Sequence, residues 1–184
     1  QTGRIKGEIA PSPEVSGGTF WKWMALEDGV LYALIGGQEQ KDRVPRWRNL
    51  GHGWGGNQLG GRGFTQKKYP WGFGRDILAI DVKSGEVLWH YTEEEPVDSR
   101  AMVMKNGRLF LFRLESLLTC LDTESGEVLW RKTAETAPDL FEAFGEVNEK
   151  SWDGWTAWKT APYLRCSNDV LFFSGMPLQK LLAV

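Results

Sequence analysis

The sequence has little that would bind nucleic acid, cross a bilayer or cross-link itself. Its 24 acidic and 22 basic residues leave a net charge of −2, so neither nucleic acid nor an anionic membrane surface is favoured as a partner. No run of about 18 apolar residues occurs, which excludes a membrane-spanning helix. Two cysteines, Cys120 and Cys166, are too few for a disulfide framework. Histidine is equally scarce: His52 sits in Gly51-His52-Gly53 with no second histidine or carboxylate at metal-ligand spacing. His90 follows Trp89 and reads as surface. The glycine-rich stretch 51–63 lacks the ordered strand, glycines and lysine of a phosphate-binding loop. The chain opens on Gln1-Thr2-Gly3 with neither initiator methionine nor signal peptide, and is expected to be a section of a longer one.

What the chain does have is a phrase written twice, IDVKSGEVLWHY at 80–91 and LDTESGEVLWRK at 121–132. Asp81 and Asp122, Gly85 and Gly126, and Trp89 and Trp130 match at an offset of about 41 residues, the span of one propeller blade or solenoid unit. Within the unit, 99–105 suits a strand and Asn106-Gly107 is a strong hairpin signal; 108–114, 116–122 and 127–132 supply three more strands. Four short antiparallel strands per unit of about 40 residues predict a β-propeller blade. The unit has no 3.6-residue apolar stripe, which excludes a helical solenoid.

The same template places two further, imperfect blades. Strands at 19–25 and 30–36, joined through Glu27-Asp28-Gly29, lead to strands at 76–81 and 86–91. Strands at 161–167, 170–175 and 180–184 begin another blade. Thr2-Gly3 aligns with Ser84-Gly85 and Ser125-Gly126, which puts Gly7 where the tryptophan should stand. The predicted fold is all-β, a partial propeller of four-stranded antiparallel blades. Its predicted parts are the end of a preceding blade at 1–8, a blade at 19–92 with an inserted loop at 38–74, a blade at 99–132, an inserted connection at 133–160, and an incomplete blade at 161–184.

Ala79-x-Asp81-x3-Gly85-x3-Trp89 resembles the tryptophan-docking motif of quinoprotein-type propellers, the pyrroloquinoline-quinone-like repeat family. Cys120-x-Asp122-x3-Gly126-x3-Trp130 repeats it with cysteine in the alanine place. The resemblance implies one section of a seven- or eight-bladed propeller, in a bacterial, periplasmic or otherwise extracytoplasmic protein, packed against the remaining blades of its full-length chain. Physically, the small residue lets a neighbour approach, the glycine permits a tight turn, and the indole fills the space between blades. WD repeats fit poorly, since the lone Trp152-Asp153 lies in an insertion; Ile35-Gly36-Gly37 occurs once, without the aromatic pair of a kelch repeat.

Function is expected in what interrupts the repeat. Strand direction puts both insertions on one face, the first rich in basic residues and the second in acidic ones. Aromatic and basic residues there make Arg48, His52, Trp54, Arg62, Trp71, Trp152 and Trp155 the candidate surface for a protein partner or small ligand. Residues 138–144 read as a short helix with Leu140, Phe141 and Phe144 on its apolar side. A disulfide between Cys120 and Cys166 is not expected, because third and first strands of adjacent blades are seldom neighbours.

Two functions follow from the resemblance. Non-catalytic members, among them the lipoprotein of the outer-membrane β-barrel assembly machinery, use the propeller as an interaction scaffold, and this is the favoured reading. The alternative is part of a dehydrogenase holding pyrroloquinoline quinone and calcium and oxidising alcohols or sugars. This section shows neither the adjacent-cysteine disulfide of the catalytic members nor a recognisable calcium-ligand set, so no catalytic residue and no cofactor is assigned to it.

Overall fold

A computed structural model describes residues 3–5, 7–12, 14, 15, 20–36, 73–113, 117–144, 163–167, 169–174 and 181–184. Its strands are β1 (Phe20–Glu27), β2 (Val30–Gly36), β3 (Phe73–Asp81), β4 (Val87–Asp98), β5 (Met102–Lys105), β6 (Arg108–Arg113), β7 (Leu117–Asp122), β8 (Val128–Thr133), β9 (Tyr163–Ser167), β10 (Val170–Ser174) and β11 (Leu182–Ala183). They form antiparallel sheets in the orders β1-β2-β3-β4, β5-β6-β7-β8 and β9-β10-β11. The architecture is a partial β-propeller, two four-stranded blades followed by a three-stranded one.

The hairpins form where the turn chemistry demands. Asp28 and Gly29 have φ of 48° and 81°, and Asn106 and Gly107 have φ of 52° and 72°. Paired positive φ values give the mirror-image turn whose twist suits a hairpin, and Asp, Asn and Gly tolerate them best.

Side-chain alternation makes each sheet two-faced. Leu34 and Ile77 of the first blade meet Met102, Leu109, Leu111 and Leu121 of the second in one buried cluster. Phe110, Phe112, Leu118 and Cys120, on the second blade's opposite face, meet Leu164, Leu171 and Phe173 of the third. The first blade's other face, with Ala33, Ile35, Leu78 and Ile80, takes Ile9 and Val15 against it. The core is thus a series of interblade layers.

Two boundaries differ from the sequence expectation, and both differences arise at the edge of the first blade. β3 starts at Phe73, so residues 73 and 74 are strand rather than the end of the insertion. They pair with Asp98 and Val97 of a β4 that runs to Asp98, well past the expected end at Tyr91. Gly74 permits this, since its Cα lies against the Ile35 carbonyl and a Cβ there would also approach Leu34 Cγ to 2.8 Å. Ser99–Ala101 is a 3-10 turn rather than strand, because Asp98 Oδ1 accepts from Arg100 N at 2.9 Å and caps it.

The helix expected over residues 138–144 forms as α1 (Pro138–Phe144). Phe141 is buried, stacks on Phe112 at 6.4 Å and joins the layer between the second and third blades.

Candidate interaction face and the junctions between blades

Strand register fixes where the insertions leave the fold. Gly36 pairs with Phe20, and Phe73 with Asp98, so the first insertion is rooted beside the end of β4. Thr133, where the second begins, pairs with Leu117 at the start of β7. The short link from Asp98 through the 3-10 turn to Met102 joins these two blade ends. Both roots therefore lie on one face, opposite the Asp28-Gly29 and Asn106-Gly107 hairpins. The seven residues expected to form the interaction surface, Arg48, His52, Trp54, Arg62, Trp71, Trp152 and Trp155, lie outside the described residues.

The repeated motif is described in full, and its residues build the junction between blades. In the turn after β3, Asp81 Oδ1 accepts from Lys83 N at 2.9 Å, Ser84 N at 2.6 Å and Ser84 Oγ at 3.0 Å. Asp122 repeats this with Glu124 N at 3.0 Å, Ser125 N at 2.8 Å and Ser125 Oγ at 3.0 Å. The bonds from Ser84 and Ser125 hold both carboxyls below the usual carboxylate range. Each turn ends on a glycine in the left-handed region, Gly85 at φ 77° and Gly126 at φ 75°.

Trp89 crosses from the first blade onto the second turn. Its Nε1 donates to the Thr123 carbonyl at 2.9 Å. A Cβ on Gly126 would stand 2.6 Å from Trp89 Cδ2 and 2.7 Å from Cε3, so the indole rests directly on the glycine backbone. The small residue works within its own blade. Ala79 is opposite both Tyr32 and Trp89, and the two rings approach to 6.0 Å across it. Cys120 does the same between Phe110 and Trp130, also at 6.0 Å.

Sequence reasoning missed a polar junction above the indole. Glu93, 2% exposed, accepts from the Tyr91 hydroxyl at 2.8 Å and from Arg131 Nη2 of the next blade at 2.7 and 2.8 Å. Arg131 Nη2 also donates to Tyr91 Oη at 2.7 Å. Burial, followed by the bond to Glu93, pushes the Tyr91 phenol up to about 12. Asp98 pairs with Arg100 at 2.7 Å, and Arg75 Nε donates to the Glu93 carbonyl at 2.9 Å.

His90 is not a free surface residue: its Nε2 lies 2.9 Å from Asp76 Oδ1, which also accepts from Thr92 Oγ1 at 3.0 Å. Cys120 and Cys166 are both thiols, and burial raises the former to about 11.

Quinone and calcium chemistry would need free carboxylates, and the described donor set does not fit. Asp76, Glu93 and Asp98 are each engaged by neighbouring side chains, and Asp81 and Asp122 by their own turns. Among the described residues no cluster of three potential metal ligands occurs.

Residues 74–145 match the family described as "Outer membrane protein assembly factor BamB". The chain carries a pyrroloquinoline-quinone-like propeller repeat. No curated protein matches the chain. BamB from Moraxella catarrhalis is similar to it in structure at 14% identity and a TM-score of 0.40, over 96% of this chain and 44% of that one. The quinohemoprotein alcohol dehydrogenase of Comamonas testosteroni is similar at 12% identity and a TM-score of 0.39, over 83% of this chain and 17% of that one. A computationally designed protein, Ika8, gives 6% identity and a TM-score of 0.42, over 87% and 31%. The chain spans less than half the length of each of these structures. In the propeller repeat the motif is a device for joining blades, and Glu93, Tyr91 and Arg131 extend that joint.

Proposed function

We propose that this chain is a section of a non-catalytic propeller scaffold that presents one loop-bearing face to a protein partner outside the cytoplasm. The observation that carries the reading is the common origin of the two insertions. Chain segments of 36 and 29 residues, between β2 and β3 and between β8 and β9, both leave from the face that holds the Asp98–Arg100 link. Long loops on a rigid frame are where binding residues are usually placed. The match of 74–145 to a family described as an assembly factor agrees with a protein partner. The engaged state of every buried carboxylate described argues for joints rather than for a reaction centre.

Calorimetric titration of the chain with pyrroloquinoline quinone and calcium, followed by an alcohol-dependent dye-reduction assay, separates this reading from the dehydrogenase one. The scaffold reading predicts no saturable heat and no dye reduction. Calcium-dependent quinone binding with alcohol oxidation would overturn it.

A further inference from the structure

The repeat supplies two copies of the tryptophan-receiving turn, and only one is filled. At the filled copy, Trp89 lies on Gly126 and bonds Thr123, leaving Thr123 only 7% exposed. The turn at 81–86 has the same backbone. Gly85 N donates to the Asp81 carbonyl at 2.7 Å, as Gly126 N does to Asp122 at 2.9 Å. Val82 N donates to the Gly29 carbonyl at 3.0 Å, as Thr123 N does to Gly107 at 3.0 Å. Asp81 N and Asp122 N each donate to the carbonyl five residues on, at 2.9 Å. Yet nothing lies within 4 Å of a Cβ built on Gly85, and Val82, in the place of Thr123, is 42% exposed.

The vacancy has a sequence cause. Gly3, at φ 63°, stands in register with Gly85 and Gly126, which puts Gly7 at the indole position of the segment before the first blade. That segment does pack on the blade, since Ile9 joins its buried layer, but Gly7 offers no side chain and nothing lies within 4 Å of its own Cβ position. A flat apolar seat with a glycine floor is thus left without its ring.

We propose that the turn at 81–86 is a docking site for a tryptophan side chain supplied by a protein partner. Trp89 on Gly126 fixes the occupant's chemistry: a planar ring to lie on the glycine, with an N–H for the carbonyl of residue 82. The site lies on the face opposite the insertion roots, so it is a second surface and stands apart from the scaffold proposal. β3 and β4 hold the turn rigidly, which limits the ordering cost of binding.

The test is a ¹H–¹⁵N NMR titration of the chain with N-acetyl-L-tryptophanamide, with N-acetyl-L-leucinamide as control. Saturable shifts at the Val82 and Gly85 amides, with a Kd on the order of millimolar, are expected from the first probe and not the second. Gly85→Ala puts a methyl on the seat and should weaken binding at least about ten-fold. Gly7→Trp should fill the seat from within, abolishing the shifts and raising Tm by about 2–4 °C. Absence of saturable shifts, shifts unchanged by Gly85→Ala, or a Gly7→Trp chain that still binds the probe with unchanged Tm would each overturn the proposal.

Discussion

Replacing Gly126 by alanine tests the blade joint more sharply than removing Trp89, because the chain carries its own control. Gly85 and Gly126 occupy the same turn with φ of 77° and 75°, so both substitutions meet the same backbone penalty, about 1–2 kcal/mol for an L-residue in the left-handed region. Gly85 has open space around a new Cβ, whereas at Gly126 the Cβ would stand 2.6, 2.7 and 3.0 Å from three ring atoms of Trp89. Those atoms are a rigid plane and cannot bend aside. The indole must leave, giving up its bond to Thr123 and much of its packing, a further loss of about 2–3 kcal/mol. Urea unfolding should therefore show Gly85→Ala costing about 1–2 kcal/mol and Gly126→Ala about 3–5 kcal/mol. In a Trp89→Ala background, Gly126→Ala should cost only the backbone term, a coupling of about 2 kcal/mol. Equal costs at the two glycines, or an undiminished cost at Gly126 once Trp89 is gone, would refute the docking geometry.

Other outcomes follow from the same structure. Arg131→Met strands the buried Glu93 carboxylate and should cost about 2–4 kcal/mol by urea unfolding, short of the fully buried range because the Arg131 side chain keeps 37% exposure. Adding Glu93→Leu to that variant should recover most of the loss. Thr119 Oγ1 is buried with no hydrogen-bond partner among the described residues, so Thr119→Val should leave stability unchanged or raise it by about 1 kcal/mol. Asp81 and Asp122 have folded pKa values below their unfolded ones, so their contribution is complete above the ordinary carboxylate pKa and fades as pH falls through the folded values. Asp81→Asn with Asp122→Asn should accordingly flatten the acid limb of a stability–pH curve while leaving its slope near neutrality alone. Cys120, raised to about 11 by burial, should react with a disulfide reagent only on unfolding, whereas the half-exposed Cys166 should label in the native state.

The frame was legible because its signals are local. Asp28-Gly29 and Asn106-Gly107 announce hairpins through their own φ preferences, and the Asp-x-x-Ser-Gly turn closes on itself within four residues. The extension of β4 was not, since Glu93-Glu94-Glu95 reads as polar loop until Arg131 appears opposite it, 38 residues on. His90 escaped for a similar reason, its partner Asp76 being 14 residues away on the neighbouring strand. Nothing in the chain order announces either pair. The expected interaction surface rests on composition alone, and its seven residues fall outside those described.

Site-specific photo-crosslinking in the source cells tests the central claim most directly. A photoreactive residue would be placed in turn at Trp54 and Trp155 in the insertions, and at Lys83 and Glu124 on the opposite turns. The scaffold account predicts discrete adducts to the same partner protein from both insertion positions. Adducts from neither insertion position, or to unrelated proteins from each, would contradict it.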